Sequence, residues 1–227
     1  MNLFHRLGAA LRALLGGRID IESFTRKAHA RLLTEPGLLE RLQKTSWIPR
    51  EAVERYRVGV VTGYRPAGLD ERVTAWVLPI TAPDGRLLAV RLHEIAKSSQ
   101  KRRWWLTEAQ PLTFWPPVEQ WRGAERLYVA MHEAGALAMI GAGLKATAVT
   151  GDAEGFDIPL PEHLVERLRD AGAAEIILVG GDPENRWERR AEKMLRSAGF
   201  LPTLIASLNL SDSPTFKAAA AARSENA

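Results

Sequence analysis

From Glu125 to Ala206 short apolar runs alternate with stretches of helical period. The runs are Arg126–Met131, Ala146–Thr150, Glu175–Val179 and Leu201–Ala206. The first helical stretch between them places Leu137, Ile140, Gly141 and Leu144 at i, i+3, i+4 and i+7. The second opens at Pro161-Glu162, carries Leu164 and Leu168, and stops near Gly172. The third carries Trp187, Ala191, Met194, Leu195 and Ala198, with Gly199 as its stop. Strands alternating with helices of this length predict an α/β fold: a parallel sheet of right-handed βαβ units, covered by helices on both faces. Polar sites in such sheets lie beyond the carboxyl ends of the strands. Here those ends supply His132 and Glu133, then Asp152, then Asp182 and Glu184.

Upstream the periodicity is different. Residues 1–57 read as helical, with a stripe of Leu3, Leu7, Leu11, Leu14 and Leu15 stopped by Gly16-Gly17. Asp20 is placed to cap a helix whose Ile21, Phe24, Ala28, Leu32 and Leu33 share a face. Pro36-Gly37 breaks that pattern, a short helix is expected over Leu38–Gln43, and another runs from Ile48-Pro49-Arg50-Glu51 to near Tyr56. From Val58 to Gly123 the pattern turns strand-like. Thr74–Ile80 and Arg86–Leu92 flank Pro83-Asp84-Gly85, which predicts a hairpin. Trp115-Pro-Pro117 and Trp121 read as a rigid connector, and Ser211–Ala227 as a flexible tail.

Composition narrows the function classes. With 227 residues, 46% of them hydrophobic, the chain can bury a large core or two small ones. It has no cysteine, which removes disulfides and cysteine-based zinc sites. The apolar centre Ala9–Leu15 is interrupted by Arg12 and is too short to span a bilayer, so a cytoplasmic protein is expected. A net charge of +4 does not by itself mark a nucleic-acid binder; clustering has to carry that argument. The sequence lacks Gly-x-x-x-x-Gly-Lys-Ser/Thr and Gly-x-Ser-x-Gly, leaving the P-loop and serine-hydrolase readings without support.

One cluster stands out. Lys97, Lys101, Arg102 and Arg103 adjoin Trp104 and Trp105 within nine residues. Cations follow a phosphate backbone and indoles offer stacking platforms to unpaired bases. A solvated loop with one core tryptophan explains the same residues, since alternation sends the two rings to opposite faces. Asp182 and Glu184 are two residues apart after a strand, with Pro183 between them. They are either a pair of magnesium ligands or negative charges at the start of the next helix.

The alternating unit resembles a Toprim domain, the magnesium-binding fold of bacterial-type primases, topoisomerases and some nucleases. The resemblance rests on Ala136-Leu137-Ala138 after the first strand, Gly151 after the second, and Asp182-Pro-Glu184 after the third. It departs at two acids: Met131 stands at the catalytic glutamate and Gly135 at the following aspartate, while Glu184 replaces the second aspartate of Asp-x-Asp. Upstream, Tyr56-Arg57-Val58-Gly59, the Leu78-Pro79-Ile80 strand with Arg91 on its partner, and the Lys97–Thr107 basic segment are similar to the primase catalytic core. The division implied is a helical lead-in over 1–57, a small basic α+β subdomain over 58–124, the Toprim-like domain over 125–207, and the tail over 208–227. The function implied is that of a DNA-dependent RNA polymerase core making primers for a phage, plasmid or other mobile element. Single-stranded DNA and nucleotides would be held by Arg91, Lys97, Lys101, Arg102, Arg103, Trp104 and Trp105. Mg²⁺, with Mn²⁺ as a substitute, would be held by Asp182 and Glu184; Glu133 and Asp182 would be catalytic, with Glu133 replacing the missing acid. The other reading is a catalytically decayed Toprim protein that binds DNA or positions a helicase or primase. A Toprim nuclease ranks below both, and a topoisomerase needs more chain than this.

Overall fold

The computed structural model describes residues 19–46, 48–66, 71–95, 102–130, 132–151, 161–179 and 187–205. The expected helix over Leu3–Leu15 and the tail lie outside them. Three helices lead the described chain. α1 (Ile21–Thr34) is capped as expected, Asp20 accepting a hydrogen bond from Ser23 N at 3.1 Å. α2 (Pro36–Ser46) is longer than its apolar pattern because Pro36 opens it, at a position where a missing N–H removes no helical bond. α3 (Arg50–Arg55) ends at Tyr56.

These helices cover a four-stranded antiparallel sheet, β1 (Gly59–Tyr64), β2 (Val73–Thr81), β3 (Leu87–Glu94) and β4 (Arg103–Trp105), in that spatial order. The β2–β3 hairpin turns through Gly85, whose φ of +85° suits glycine. On one face Ala75, Val77, Val90 and Leu92 pack with Ala28, Ile21 and Phe24 of α1. On the other, Trp76, Leu78, Ile80 and Ala89 pack with Leu39, Leu42, Ile48 and Val53 from α2, α3 and their junction.

The start of β1 passes directly under α1. A Cβ added to Gly59 would lie 2.6 Å from both the Ala28 carbonyl carbon and the His29 nitrogen. The same contact brings His29 Nδ1 to 2.8 Å from Val58 O. The glycine of Tyr56-Arg57-Val58-Gly59 is therefore a helix-crossing position, where any side chain would press on backbone. Gly59→Ala is expected to lower stability by about 1–3 kcal/mol, seen as a lower urea midpoint with little change in m-value. A midpoint equal to wild type would show that α1 can lift off at no cost.

The second sheet comprises β5 (Phe114–Trp115), β6 (Arg126–Ala130), β7 (Ala146–Val149), β8 (Glu175–Val179) and β9 (Thr203–Ile205). Its order is β5-β7-β6-β8-β9, with β7, β6, β8 and β9 parallel and β5 antiparallel on β7. The four apolar runs read from the sequence are the four parallel strands. Phe114-Trp115, read as part of a connector, instead forms the edge strand β5. It is anchored where Thr150 N donates to Thr113 O at 2.8 Å. Two residues between prolines give no alternation from which to recognise a strand.

Three helices cover this sheet: α4 (Glu133–Gly141), α5 (Glu162–Ala171) and α6 (Trp187–Ser197). Alternation splits the strands between two cores. Leu127, Val129, Ile176 and Leu178 meet Leu164 and Leu168 of α5 and Met194 and Leu195 of α6. Ala130, Ala148, Ile177 and Val179 meet Ala136 and Met139 of α4. Both faces are dry, which is why these strands read as continuous apolar runs. α5 ends on Gly172 in the left-handed conformation (φ +61°). α4 is shared: Leu137, fully buried, and Ile140 join the core of the first sheet. That sharing sets the N-terminus of α4 against β3. Among the described residues no helix is long and apolar enough to cross a membrane.

Candidate functional site

Strand alternation builds one half of the site. Arg91 and His93 lie two apart on β3 and face the same side. β4 pairs so that Trp105 lies opposite Arg91 and Arg103 opposite His93. The other half comes from the second sheet. β6 ends at Ala130, and α4 begins at Glu133 with His132 as its N-cap, Nδ1 accepting from Gly135 N at 3.1 Å.

The two halves meet at Glu133, which is only 2% exposed. Its Oε1 lies 3.6 Å from Arg91 Nε, and its Oε2 lies 3.3 Å from His93 Nε2. Arg91, 6% exposed, also donates from Nη1 to Gly151 O at 2.9 Å, and its guanidinium sits 4.5 Å from the Trp105 ring centre. One arginine thus ties the start of α4 to the glycine following β7. The His93 and His132 rings meet edge to face, 6.2 Å apart.

Burial works to raise the pKa of Glu133, but the His93 contact and the Arg91 charge outweigh it and hold the carboxyl at about 2. His93 is pushed below the ordinary histidine value by burial, against the pull of Glu133. His132 is lowered to about 4, first by burial and then by the charges of His93 and Arg103. At neutral pH the centre is a carboxylate held by a guanidinium, beside two neutral imidazoles.

Sequence and structure agree on part of this set. Arg91, Arg103, Trp105, His132 and Glu133 come together. Arg91 is no exposed edge charge, because β3 lies between β2 and β4. Arg102 is drawn away: it forms a two-pronged pair with Glu94 at 2.7 and 2.8 Å and also reaches Glu71. Trp104 and Trp105 take opposite faces, and both are half-buried against apolar clusters. Arg102 lies 5.7 Å from the Trp104 ring centre, so each indole already has a guanidinium over it. Lys97, Lys101, Met131, Asp152, Asp182 and Glu184 lie outside the described residues. His93 was missed because the expected strand stopped at Leu92. Arg91-x-His93, polar residues at successive same-face positions in an apolar strand, is the signal that could have found it.

Among the described residues no group of three or more histidine and acidic side chains is arranged to hold a metal ion. Glu133 does not fit a magnesium ligand, since both of its oxygens face cationic or imidazole nitrogens. Gly135, at the position of the family's aspartate, has the His132 ring beside it; a Cβ there would lie 3.5 Å from two ring atoms.

Comparison with solved structures identifies the architecture as that of the primase catalytic core. The E. coli primase catalytic core matches with a TM-score of 0.58 at 15% identity, over 90% of this chain and 78% of that one. The RNA polymerase domain of Mycobacterium tuberculosis primase matches with a TM-score of 0.57 at 14% identity, over 96% and 82%. The Aquifex aeolicus primase, comprising zinc-binding and RNA polymerase domains, matches at 0.57 and 14%, over 80% of this chain and 54% of that structure. The chain thus spans about half the length of the Aquifex structure. At these identities the likeness is one of fold. No protein-family model matches the sequence, and no curated protein does.

Proposed function

We propose that this chain is a primase-fold protein that binds single-stranded DNA in a phage, plasmid or other mobile-element replication system, and positions the strand, a helicase or a partner primase without making primers itself. The observation that carries this reading is the state of Glu133. It is the described acid nearest the vacated glutamate position, and it is buried and committed to Arg91 and His93. A group so placed neither reaches solvent to take up a proton nor offers a free oxygen to a metal. Support for DNA binding comes from the basic and aromatic residues of β3 and β4, with Arg103 exposed at the rim.

A second reading, primer synthesis with Mg²⁺ or Mn²⁺ at Asp182 and Glu184, draws on strand register. Ala130 pairs with Val179, so β6 and β8 end level, one leading to His132-Glu133 and the other to the Asp182 segment. Synthesis of radiolabelled primers on mixed single-stranded templates, with each metal, separates the two. No product alongside intact DNA binding is expected. Product that disappears in Asp182→Asn would establish the enzyme instead.

Binding should weaken with salt. Replacing Lys101, Arg102 and Arg103 together should flatten the log–log salt slope by about 1.4, at ~0.7 per phosphate for a single strand. The loss corresponds to two cations because Arg102 is already neutralised by Glu94 and Glu71. Arg102→Ala alone should leave the slope unchanged. A slope unaffected by the triple replacement would remove this segment from the interface.

A further inference from the structure

We propose that Glu133 is an autoinhibitory occupant of the groove: its carboxylate takes the place on Arg91 that a nucleic-acid phosphate would take, closing the inner end of the inter-sheet groove to polyanions. The inference rests on the single-stranded DNA reading above and concerns which cations that binding can use. Arg91 is engaged on three sides, by Glu133, by the Gly151 carbonyl and by the Trp105 ring. Its charge is balanced by a carboxylate that the fold itself delivers, at the first residue of α4, where the helix N-terminus also favours a negative group. A phosphate approaching Arg91 would have to displace that carboxylate or leave it buried without its partner, and an unpaired buried charge is strongly unfavourable. Arg103, on the same sheet face but exposed, has no such barrier to reaching a strand. Wild-type DNA therefore stays on the rim.

The test is the salt dependence of binding to a labelled oligothymidylate by the full chain. Glu133→Gln keeps the side chain's shape and removes its charge. It is expected to bind about tenfold tighter at low salt, with a slope steeper by ~0.7, one added phosphate contact. Binding and slope equal to wild type in a folded Glu133→Gln protein would overturn the proposal while leaving the DNA-binding reading intact. If Glu133→Gln does not fold, Arg91→Met with Glu133→Leu replaces the pair by apolar groups. That protein should keep the wild-type slope, since Arg91 contributes nothing to it; a slope shallower by ~0.7 would overturn the proposal. Binding by Glu133→Gln with none by wild type would uphold the lock and refute DNA binding by the native chain. No binding by either protein would overturn both.

Discussion

Arg91→Met is expected to lower folding stability by about 3–5 kcal/mol, because it leaves the Glu133 carboxylate buried without its counter-charge. The size follows from burial: side-chain exposure is 7% for Arg91 and 2% for Glu133, so water cannot make up for the lost partner. The variant also frees the Gly151 carbonyl and uncovers the Trp105 ring. Arg91→Met with Glu133→Leu should recover most of the loss, since replacing a buried pair by apolar groups of similar volume is often neutral. Equilibrium urea unfolding of the two single variants and the double gives the coupling directly. In the Arg91 variant His93 becomes the only nearby group able to balance Glu133 by taking up a proton, so its ring should titrate at a higher pH by NMR. A loss below about 1 kcal/mol would mean that the two sheets part readily and the carboxylate reaches water.

Much of the fold was legible in the sequence because it is built from local pattern. Leu127, Val129, Ile176 and Leu178 face one core while Ala130, Ile177 and Val179 face the other, and that two-sided burial shows as unbroken apolar runs. Gly172 and Gly199, both at positive φ, end their helices where expected. Phe114-Trp115 was not legible as a strand, since its pairing with β7 is decided by hydrogen bonds to residues more than thirty positions away. The site was half legible for a similar reason. Sequence marks Arg91 and Glu133 as interesting, each by its own neighbours. Their pairing depends on α4 being shared by two sheets, and no local pattern encodes that. Glu133 was expected to stand in as a catalytic acid, yet its oxygens are turned to the first sheet by Arg91 and His93. Asp182 and Glu184 lie outside the described residues, so their part in any metal site stays a proposal.

Acidification is expected to destabilise the protein in two steps, the first of them through His132. Its folded-state value of about 4 lies below the ordinary 6.5, so between those pH values the unfolded chain binds a proton that the native state refuses. Stability is therefore fully present above about pH 6.5 and falls as the pH drops to about 4, by roughly 3 kcal/mol from this residue. The groups facing His132 are His93 and Arg103 from the first sheet and Glu133 on its own helix; the first two oppose a charge on the ring and the third favours it. His93, also held down by burial, adds to the same window. Protonation on Nδ1 would in addition remove the cap on Gly135 N, because that atom accepts the bond. Glu133 supplies the second step: its depressed value adds stability above the ordinary carboxylate range that is lost as the pH falls towards about 2. His132→Asn separates capping from titration, since asparagine caps a helix as well as any residue and carries no proton equilibrium. Thermal or urea midpoints followed from pH 7.5 to 4 should fall steeply in wild type and clearly less in His132→Asn, with the two proteins within about 1 kcal/mol of each other at pH 7.5. An equally steep fall in the variant would assign the whole first step to His93, and a flat wild-type profile would show that both rings open to water at no cost.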